Sequence, residues 1–381
     1  MRIAVAIDSF KGSLSTFEAG NAIAEAAKEV YENTKVVISP IADGGEGTVE
    51  AIVSANNGEF VKCVVCNPLG EKIEAEYGFI PNTKTAIIEM SAAAGITLIK
   101  ESKRDPMRTT TFGVGEMISD AISKGCRKFL IGIGGSATND GGVGMLQALG
   151  FEILDKNGKQ VARGAKGLGD IVAIRTENAL GELKRCSFCV ACDVKNVLCG
   201  EYGCSAIYGP QKGATSEMIK KMDLWLSDYA RLTKEVIPGA DANIPGTGAA
   251  GGLGFALLSY LDASLVSGID LVMKETDLES HIKDADLVIT GEGRLDGQSY
   301  MGKAPIGVAK LAKKYNKTVI AFSGCVTEDT VVCNEYGIDA FFPIVRKPCT
   351  LAEAMDVKIA YENLKSTASQ VFRLIKTYEN R

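Results

Sequence analysis

Two short segments of the sequence combine charged and hydroxyl side chains in patterns suited to binding ions. Residues 8–13 (DSFKGS) follow an apolar run and bring a carboxylate, hydroxyls and Lys11 together. This segment could therefore hold an anionic substrate or a phosphate. Residues 43–48 (DGGEGT) place Asp43 and Glu46 at the start of a predicted helix. Such a pair of carboxylates can hold Mg²⁺, which prefers oxygen ligands and retains several waters.

Two glycine-rich segments offer backbone amides instead of side chains. Residues 132–142 (GIGGSATNDGG) and 245–254 (PGTGAAGGLG) each lead into a predicted helix, where amide donors can approach phosphate oxygens. The first segment is not a Walker A loop, because no GK[ST] closes it. Nor is it a GxGxxG fingerprint, because Ala137 occupies the third glycine position.

Two acidic segments complete the set. Asp193 follows the apolar run CSFCVAC, and residues 290–296 (TGEGRLD) are followed by GKAP at 302–305. Each of these segments has a structural alternative, since glycines permit tight turns and a strand-end Asp can cap a helix. Open α/β sheets place their ligand sites at strand ends. The segments together therefore predict a polar cleft that accepts phosphate.

The elements that position these segments predict an α/β fold with two domains. Strands and helices alternate near both chain ends, an order that favours a parallel sheet with right-handed crossovers. Residues 61–90 are typical of strands joined by turns, and residues 151–161 of a hairpin with Asn157-Gly158 at its turn. We expect a parallel-sheet domain from residues 1–64 plus 281–381, and a mixed α/β domain inserted at 65–280. The predicted site lies in the cleft between them.

Composition removes several classes of function. The single histidine, His281, argues against a Ser-His-Asp triad or a two-histidine metal site, and we expect it on the solvated surface. A net charge of −5 gives no reason to expect nucleic acid or an anionic membrane as partner. No apolar run reaches about 18 residues. The N-terminus is typical of a strand and not of a signal peptide, so the eleven cysteines indicate reduced thiols in the cytoplasm.

The cysteine run Cys186, Cys189 and Cys192 has the spacing of a zinc or iron–sulfur site. The run lies in an apolar segment predicted to be a strand, where successive side chains point to opposite faces. Cys186 and Cys192 would then face away from Cys189. We therefore interpret the three as small hydrophobic residues and not as metal ligands.

The sequence resembles the type I glycerate kinase family from residue 1 to near residue 375. The sequence motifs that carry the resemblance are DSFKGS, IADGGEGT, GIGGSATNDGG, CDVKNVL, GPQKGA, PGTGAAGGLG, TGEGRLDGQS and GKAP. The resemblance implies ATP-dependent phosphorylation of D-glycerate with Mg²⁺, and 2-phosphoglycerate as the product. It also implies a Rossmann-like domain with an inserted α/β domain. Val197 replaces a proline of the family's pattern, which leaves Asp193 and Asn196 in place.

Phosphoryl transfer depends on positioning and charge neutralisation, and this requirement suggests roles for individual residues. We assign Asp193 as general base, with Lys11 and Asp43 also catalytic. The sequence leaves open which of Asp193 and Asp43 is the base and which is a metal ligand. The other assignments are glycerate binding by Ser9, Lys11, Asp43 and Arg294; ATP phosphate binding by Gly134, Gly135, Ser136, Thr138, Gly246, Thr247 and Gly248; and Mg²⁺ binding by Asp43, Glu46, Asp140, Glu292 and Asp296.

Two alternatives come from other classes of protein. An NAD-dependent hydroxy-acid dehydrogenase shares parallel strands and glycine loops, but it predicts GxGxxG after the first strand, where DSFKGS has one glycine. A non-catalytic small-molecule sensor would bind glycerate or ATP without forming ADP, and it gives no reason for so many carboxylates. The product's phosphate position and the oligomeric state are left open, with a homodimer among the options.

Overall fold

The computed structural model describes residues 1–45, 47–297 and 303–379. In chain order the strands are β1 (Arg2–Ile7), β2 (Lys35–Ile38), β3 (Glu59–Cys66), β4 (Lys72–Ile80), β5 (Thr85–Glu89), β6 (Lys128–Gly132), β7 (Glu152–Leu154), β8 (Ala173–Arg175), β9 (Ser187–Ala191), β10 (Ser264–Val266), β11 (Leu287–Leu295), β12 (Thr318–Val326) and β13 (Ala340–Pro343). The helices are α1 (Thr16–Val30), α2 (Thr48–Ala55), α3 (Ser91–Ala94), α4 (Phe112–Ser123), α5 (Val143–Ala148), α6 (Ala165–Leu168), α7 (Cys204–Tyr208), α8 (Ser216–Val236), α9 (Ala249–Leu261), α10 (Gly268–Glu275), α11 (Leu278–Asp284), α12 (Ala304–Lys313), α13 (Val332–Glu335), α14 (Leu351–Met355) and α15 (Val357–Glu379).

The described residues form two compact units. The first unit comprises Met1–Asp43, Glu50–Asn56 and Ile269–Arg381, and the second comprises Gly44–Val49 and Asn57–Gly268. The α/β class, with a parallel sheet drawn from both chain ends, is confirmed. The unit boundaries differ from the expected ones, because β3 pairs with β4 along its whole length and so belongs to the second unit.

The first unit is built on a five-stranded parallel sheet in the order β13-β12-β11-β1-β2. Its apolar strands pack against α1 and α15, whose inward faces are rich in alanine, leucine and phenylalanine. Helix α1 begins after Ser15, because Ser15 Oγ accepts from the Glu18 amide and the Glu18 carboxylate accepts from the Ser15 amide. The carboxyl ends of β1 and β11 lie side by side, with Ile7 opposite Gly291.

The second unit contains a six-stranded sheet in the order β10-β9-β6-β5-β4-β3. Strands β10, β9, β6 and β5 are parallel, whereas β3 and β4 are antiparallel. The strands expected at residues 61–90 therefore form an antiparallel run from β3 to β5, and β5 then pairs in parallel with β6. The register aligns Glu89, Gly132 and Ala191 at one edge, so the segments after β5, β6 and β9 emerge next to one another.

The predicted hairpin at residues 151–161 forms as a short one: Leu154 and Gln160 make an isolated antiparallel bridge, and the Val161 amide donates to the Ile153 carbonyl at 2.9 Å. The turn at Asn157-Gly158 forms, with the Asp155 carboxylate accepting from the Asn157 and Lys159 amides. Strand β7 also pairs with β8 at residues 173–175. The Gln160 side chain accepts a further hydrogen bond from the Ile153 amide. Within the described ranges, we find no helix with both the length and the apolar character needed to cross a membrane.

Candidate functional site

A cavity of about 350 Å³, lined by both charged and apolar side chains, opens at the carboxyl edge of the first unit's sheet. Asp8 follows β1 and Glu292 lies in β11, and the Asp8 amide donates to the Gly291 carbonyl at 2.9 Å. The cavity is lined by Asp8, Ser9, Lys11, Asp43, Glu292, Arg294, Lys303 and Cys325, among other residues. Ser9, Lys11, Asp43 and Arg294, which the sequence assigned to glycerate, are therefore brought together in one cavity.

Lys11 and Asp43 form an ion pair in this cavity, with Lys11 Nζ 3.5 Å from Asp43 Oδ2. Burial lowers the pKa of Lys11, but the Asp43 and Asp8 carboxylates outweigh it and hold this pKa above its ordinary value. The ammonium group is thus charged at neutral pH. It remains more than half exposed, so it can also contact an anionic ligand.

Asp8 is a cavity residue to which the sequence analysis gave no role of its own. Its side chain is buried, and its Oδ1 accepts from the Ser9 amide at 2.7 Å. Burial raises the pKa of Asp8 to about 7, and the nearby Asp43 carboxylate acts in the same direction. The position of Asp8 directly after the first buried strand was the sequence signal that could have identified it as a site residue.

The cavity residues Glu292, Arg294 and Lys303 are joined to Asp296, which directly follows β11, by ion pairs. Lys303 Nζ lies 3.5 Å from Glu292 and 3.6 Å from Asp296, and Arg294 Nε lies 3.4 Å from Asp296. Arg294 is 64% exposed, whereas Glu292 and Asp296 are largely buried. Glu292 and Asp296, both assigned to Mg²⁺, therefore share an ion pair with the same lysine, Lys303.

A second cluster lies at the carboxyl edge of the second unit's sheet, around Gly44. The chain at Gly44 has a φ of +89°, and a Cβ there would lie 2.7 Å from Gly268 Cα and 3.5 Å from Asp193 Oδ2. On the other side, a Cβ on Gly132 would lie 2.7 Å from the Gly44 carbonyl oxygen. Only glycine fits between the ends of β6 and β9 in this conformation.

Asp193 lies in this second cluster, two residues beyond the end of β9. Its side chain is exposed, and its Oδ1 accepts from the Gly268 amide at 3.0 Å. The strand therefore fixes the backbone, and the Gly268 amide orients the carboxylate. This is a suitable geometry for a base, and the assignment stays a prediction.

A recess of about 440 Å³ adjoins the same edge. It is lined by Gly44, Glu89, Ser91, Gly134 and Gly135, among others, and the last two are exposed. Within the described ranges, no acceptor is found for the Gly134 or Gly135 amides. Glu89 Oε1 accepts from the Val49 amide at 3.2 Å. The sequence analysis missed Glu89 and Ser91, although Glu89 ends the buried strand β5 and Ser91 lies two residues beyond it.

Ser136 and Thr138, also assigned to phosphate, are buried behind the exposed glycines. Lys212 Nζ donates to Ser136 Oγ at 2.8 Å and to the Thr138 carbonyl at 2.7 Å. Burial lowers the pKa of Lys212 to about 8, partly offset by Cys204 and Asp140. Lys212 lies in the motif GPQKGA, but the sequence alone gave no reason to place it next to the segment Gly134–Thr138.

Asp140 has contacts that differ from those expected of a metal ligand. Its carboxylate is fully buried and accepts from the amides of Thr111, Gly142 and Gly144 and from the hydroxyls of Thr110 and Thr111. Burial raises the pKa of Asp140, and these hydrogen bonds oppose the shift. The carboxylate organises the turn before α5, and its hydrogen bonds give no support to a role as a Mg²⁺ ligand.

Replacing Asp140 with Ala is expected to lower the free energy of unfolding by about 3 kcal/mol, because buried donors lose their acceptor. Urea denaturation followed by fluorescence measures the loss, with the exposed Glu177→Ala as a control that should change it little. An unchanged unfolding midpoint together with an altered Mg²⁺ dependence of activity would restore the metal assignment.

The hydrogen bonds of the segment Gly246–Gly248 also differ from those expected for its assigned role, the binding of ATP phosphates. The Gly246 and Gly248 amides both donate to the Asn196 carbonyl, and the buried Thr247 hydroxyl donates to the Ala242 and Ile244 carbonyls. These donors are engaged within the protein. Phosphate binding by Gly246, Thr247 and Gly248 therefore receives no support from their hydrogen bonds.

Glu46, assigned to Mg²⁺ by the sequence, lies outside the described residues. His281 is half-buried, with its Nδ1 2.6 Å from Ser39 Oγ, so it is less exposed than expected. Cys186 and Cys192 pack against the second unit's apolar core. Across the described part of the chain, no three His, Cys, Asp or Glu side chains converge as a preformed metal site.

The glycerate kinase family model matches residues 3–376. The chain is 47% identical to a glycerate kinase of Haemophilus influenzae over 98% of this chain and 99% of that protein. It is also 47% identical to glycerate 2-kinase of Escherichia coli over 96% and 95%. A crystal structure from Salmonella typhimurium LT2, described as a candidate glycerate kinase 2, superposes over 100% of both chains with a TM-score of 0.91 at 44% identity.

These matches define the class of the protein as a kinase that phosphorylates an alcohol, as the sequence predicted. The chain belongs to the glycerate kinase family.

Proposed function

We propose that this protein transfers a phosphoryl group from ATP to the 2-hydroxyl of D-glycerate, giving 2-phosphoglycerate and ADP. The observation that carries the proposal is identity of 47% over nearly the whole chain with proteins named glycerate kinase and glycerate 2-kinase. Clustered cations, carboxylates and exposed glycine amides at two sheet edges support it.

The glycerate carboxylate is proposed to bind in the first unit's cavity. Lys11 offers an exposed ammonium there, Arg294 a second cation, and Ser9 a hydroxyl. A charge-assisted hydrogen bond to a carboxylate is stronger than a neutral one, so Lys11 is the principal candidate. Asp43 holds Lys11 in position through their ion pair.

The ATP phosphates are proposed to bind the segment Gly134–Thr138. Support comes from the exposed Gly134 and Gly135 beside the 440 Å³ recess, and from the positive charge of Lys212 behind Ser136. That both substrates meet in a cleft between two domains stays a prediction.

Mg²⁺ fits the donor set of the first unit, although its side chains form no preformed cage among the described residues. This metal is commonly held by one or two carboxylates together with substrate phosphates and waters. Asp43, Glu292 and Asp296 would hold it, and bound there it would neutralise phosphate charge. Asp193 is proposed to accept the proton of the attacking hydroxyl. The alternative, Asp43 as base, remains open.

Phosphorus NMR of the reaction with ATP, Mg²⁺ and D-glycerate tests the proposal. We expect the product phosphorus to couple to one proton, as in 2-phosphoglycerate. Coupling to two protons would indicate 3-phosphoglycerate. Reduction of NAD by glycerate without ATP would favour the dehydrogenase, and binding without ADP formation would favour the sensor.

We propose further that the protein works in the cytoplasm, where its eleven free cysteines would stay reduced. A homodimer and the absence of nucleic-acid or membrane partners remain predictions.

A further inference from the structure

Lys212 is an almost fully buried lysine, 2% exposed, in the short connection between α7 and α8. The connection is held tightly: the Lys212 amide donates to the Gly209 carbonyl, and the Gly213 amide to the Pro210 carbonyl. A Cβ at Gly213, where φ is +92°, would lie 2.5 Å from the Arg104 carbonyl oxygen. The backbone therefore fixes where the Lys212 side chain begins.

The ammonium group of Lys212 is hydrogen-bonded but not neutralised. Ser136 Oγ and the Thr138 carbonyl accept two of its three donors. No carboxylate of the described residues forms an ion pair with it. Cys204 and Asp140 favour its charged form only in part, and the Asp140 carboxylate accepts hydrogen bonds from other groups. A buried charge without an opposite charge is costly, so packing alone is a poor reason for a lysine at this position.

The surroundings of Lys212 are polar beyond these two bonds. Thr138 Oγ1 and Asn139 Oδ1 are buried and have no partner among the residues that the structure describes. Thr138 ends the segment Gly134–Thr138, and Asn139 directly follows it. The buried polar groups around Lys212 therefore adjoin the same segment whose exposed Gly134 and Gly135 line the recess.

We infer that Lys212 is a positioning residue that holds the segment Gly134–Thr138 in a phosphate-binding conformation through Ser136 and the Thr138 carbonyl. It acts through this segment and does not itself touch the nucleotide. Its charge also favours an anion at Gly134 and Gly135, which would compensate it. This inference rests on the proposed binding of ATP phosphates by that segment.

Lys212→Met tests the inference, because methionine fills a similar volume without donors or charge. Steady-state kinetics should show the KM for ATP raised at least tenfold and the KM for D-glycerate within twofold of wild type. A KM for ATP within twofold of wild type, or an equal rise for both substrates, would overturn the inference. Lys212→Gln, which keeps a donor but no charge, is assayed in the same way in case the Met variant does not fold.

The matched control is Thr233→Val in the same unit. Thr233 is buried and donates to the Tyr229 carbonyl, so its loss lowers stability without touching the segment. We expect it to leave both KM values unchanged. If it raised the KM for ATP as Lys212→Met does, general loss of stability would explain both, and the inference would fail.

A double-mutant cycle with Ser136→Ala identifies the route of the effect. If Lys212 acts through Ser136, removing the Ser136 hydroxyl should raise the KM for ATP less in the Lys212→Met background than in wild type. Fully additive effects would contradict a route through Ser136.

Failure of the proposed function would appear separately, as a wild-type protein that forms no ADP with D-glycerate. Isothermal titration with ATP alone would then still test Lys212. We expect at least a tenfold weaker Kd in Lys212→Met, and an unchanged Kd would overturn the inference.

Discussion

Replacing Asp193 with Asn is expected to lower kcat by about 10²–10⁴, the usual contribution of a general base, with the KM for ATP within twofold. The asparagine carbonyl can still accept from the Gly268 amide, as Oδ1 does at 3.0 Å. The variant therefore keeps the orientation of the side chain and loses the ability to accept a proton. Steady-state kinetics with ATP and D-glycerate measure the effect.

The same variant separates the three roles open to this carboxylate. If Asp193 binds Mg²⁺, the defect should shift the Mg²⁺ dependence and be partly relieved by Mn²⁺. If it only secures the chain at Gly268, the melting temperature should fall while kcat is retained. Glu177→Gln, an exposed carboxylate of the second unit, is the control and should behave as wild type. Retention of kcat would refute the base assignment.

Lys11→Met is expected to lower kcat/KM for D-glycerate by about 10- to 100-fold. A hydrogen bond to a charged group contributes about 1.5–3 kcal/mol, and each 1.4 kcal/mol is a factor of ten. The substitution also removes the cation that pairs with Asp43 and lies near Asp8, so the two carboxylates would repel an anionic ligand. The fold should persist, because Lys11 is exposed.

The control for Lys11 is Lys314→Met, another exposed lysine of the first unit. It should leave kinetics and melting temperature unchanged. Wild-type kinetics of Lys11→Met with both substrates would remove Lys11 from the site. A rise confined to the KM for ATP would move its partner from the glycerate carboxylate to the nucleotide.

Local pattern in the sequence was sufficient for most elements of the fold. Short-range signals mark three of these elements. They are the apolar run before Asp8 for β1, the capping residue Ser15 for α1, and the glycine segment that follows β6. The same reasoning placed Lys11, Asp43 and Arg294 at strand ends, and the structure brings these three into one cavity.

What the sequence could not provide depends on contacts distant along the chain. Asp140 resembles a metal ligand until its five hydrogen bonds are known, and they come from two segments about 30 residues apart. Lys212 reaches a loop that lies 76 residues earlier. Strand β7 pairs with β8 in addition to the residues after the Asn157-Gly158 turn, and no local pattern predicts this second pairing.

The exposed Cys325, in the wall of the first unit's cavity, also makes this cavity accessible to chemical labelling. Cys325 and Cys349 are exposed, whereas the other nine cysteines are buried or half-buried, and burial raises the pKa of thiols such as Cys126 and Cys204 to about 11. Thiol reagents at neutral pH should therefore modify these two positions first. In a Cys349→Ser protein, the rate of alkylation would report on Cys325, and protection by a ligand would report occupancy of the cavity without any turnover.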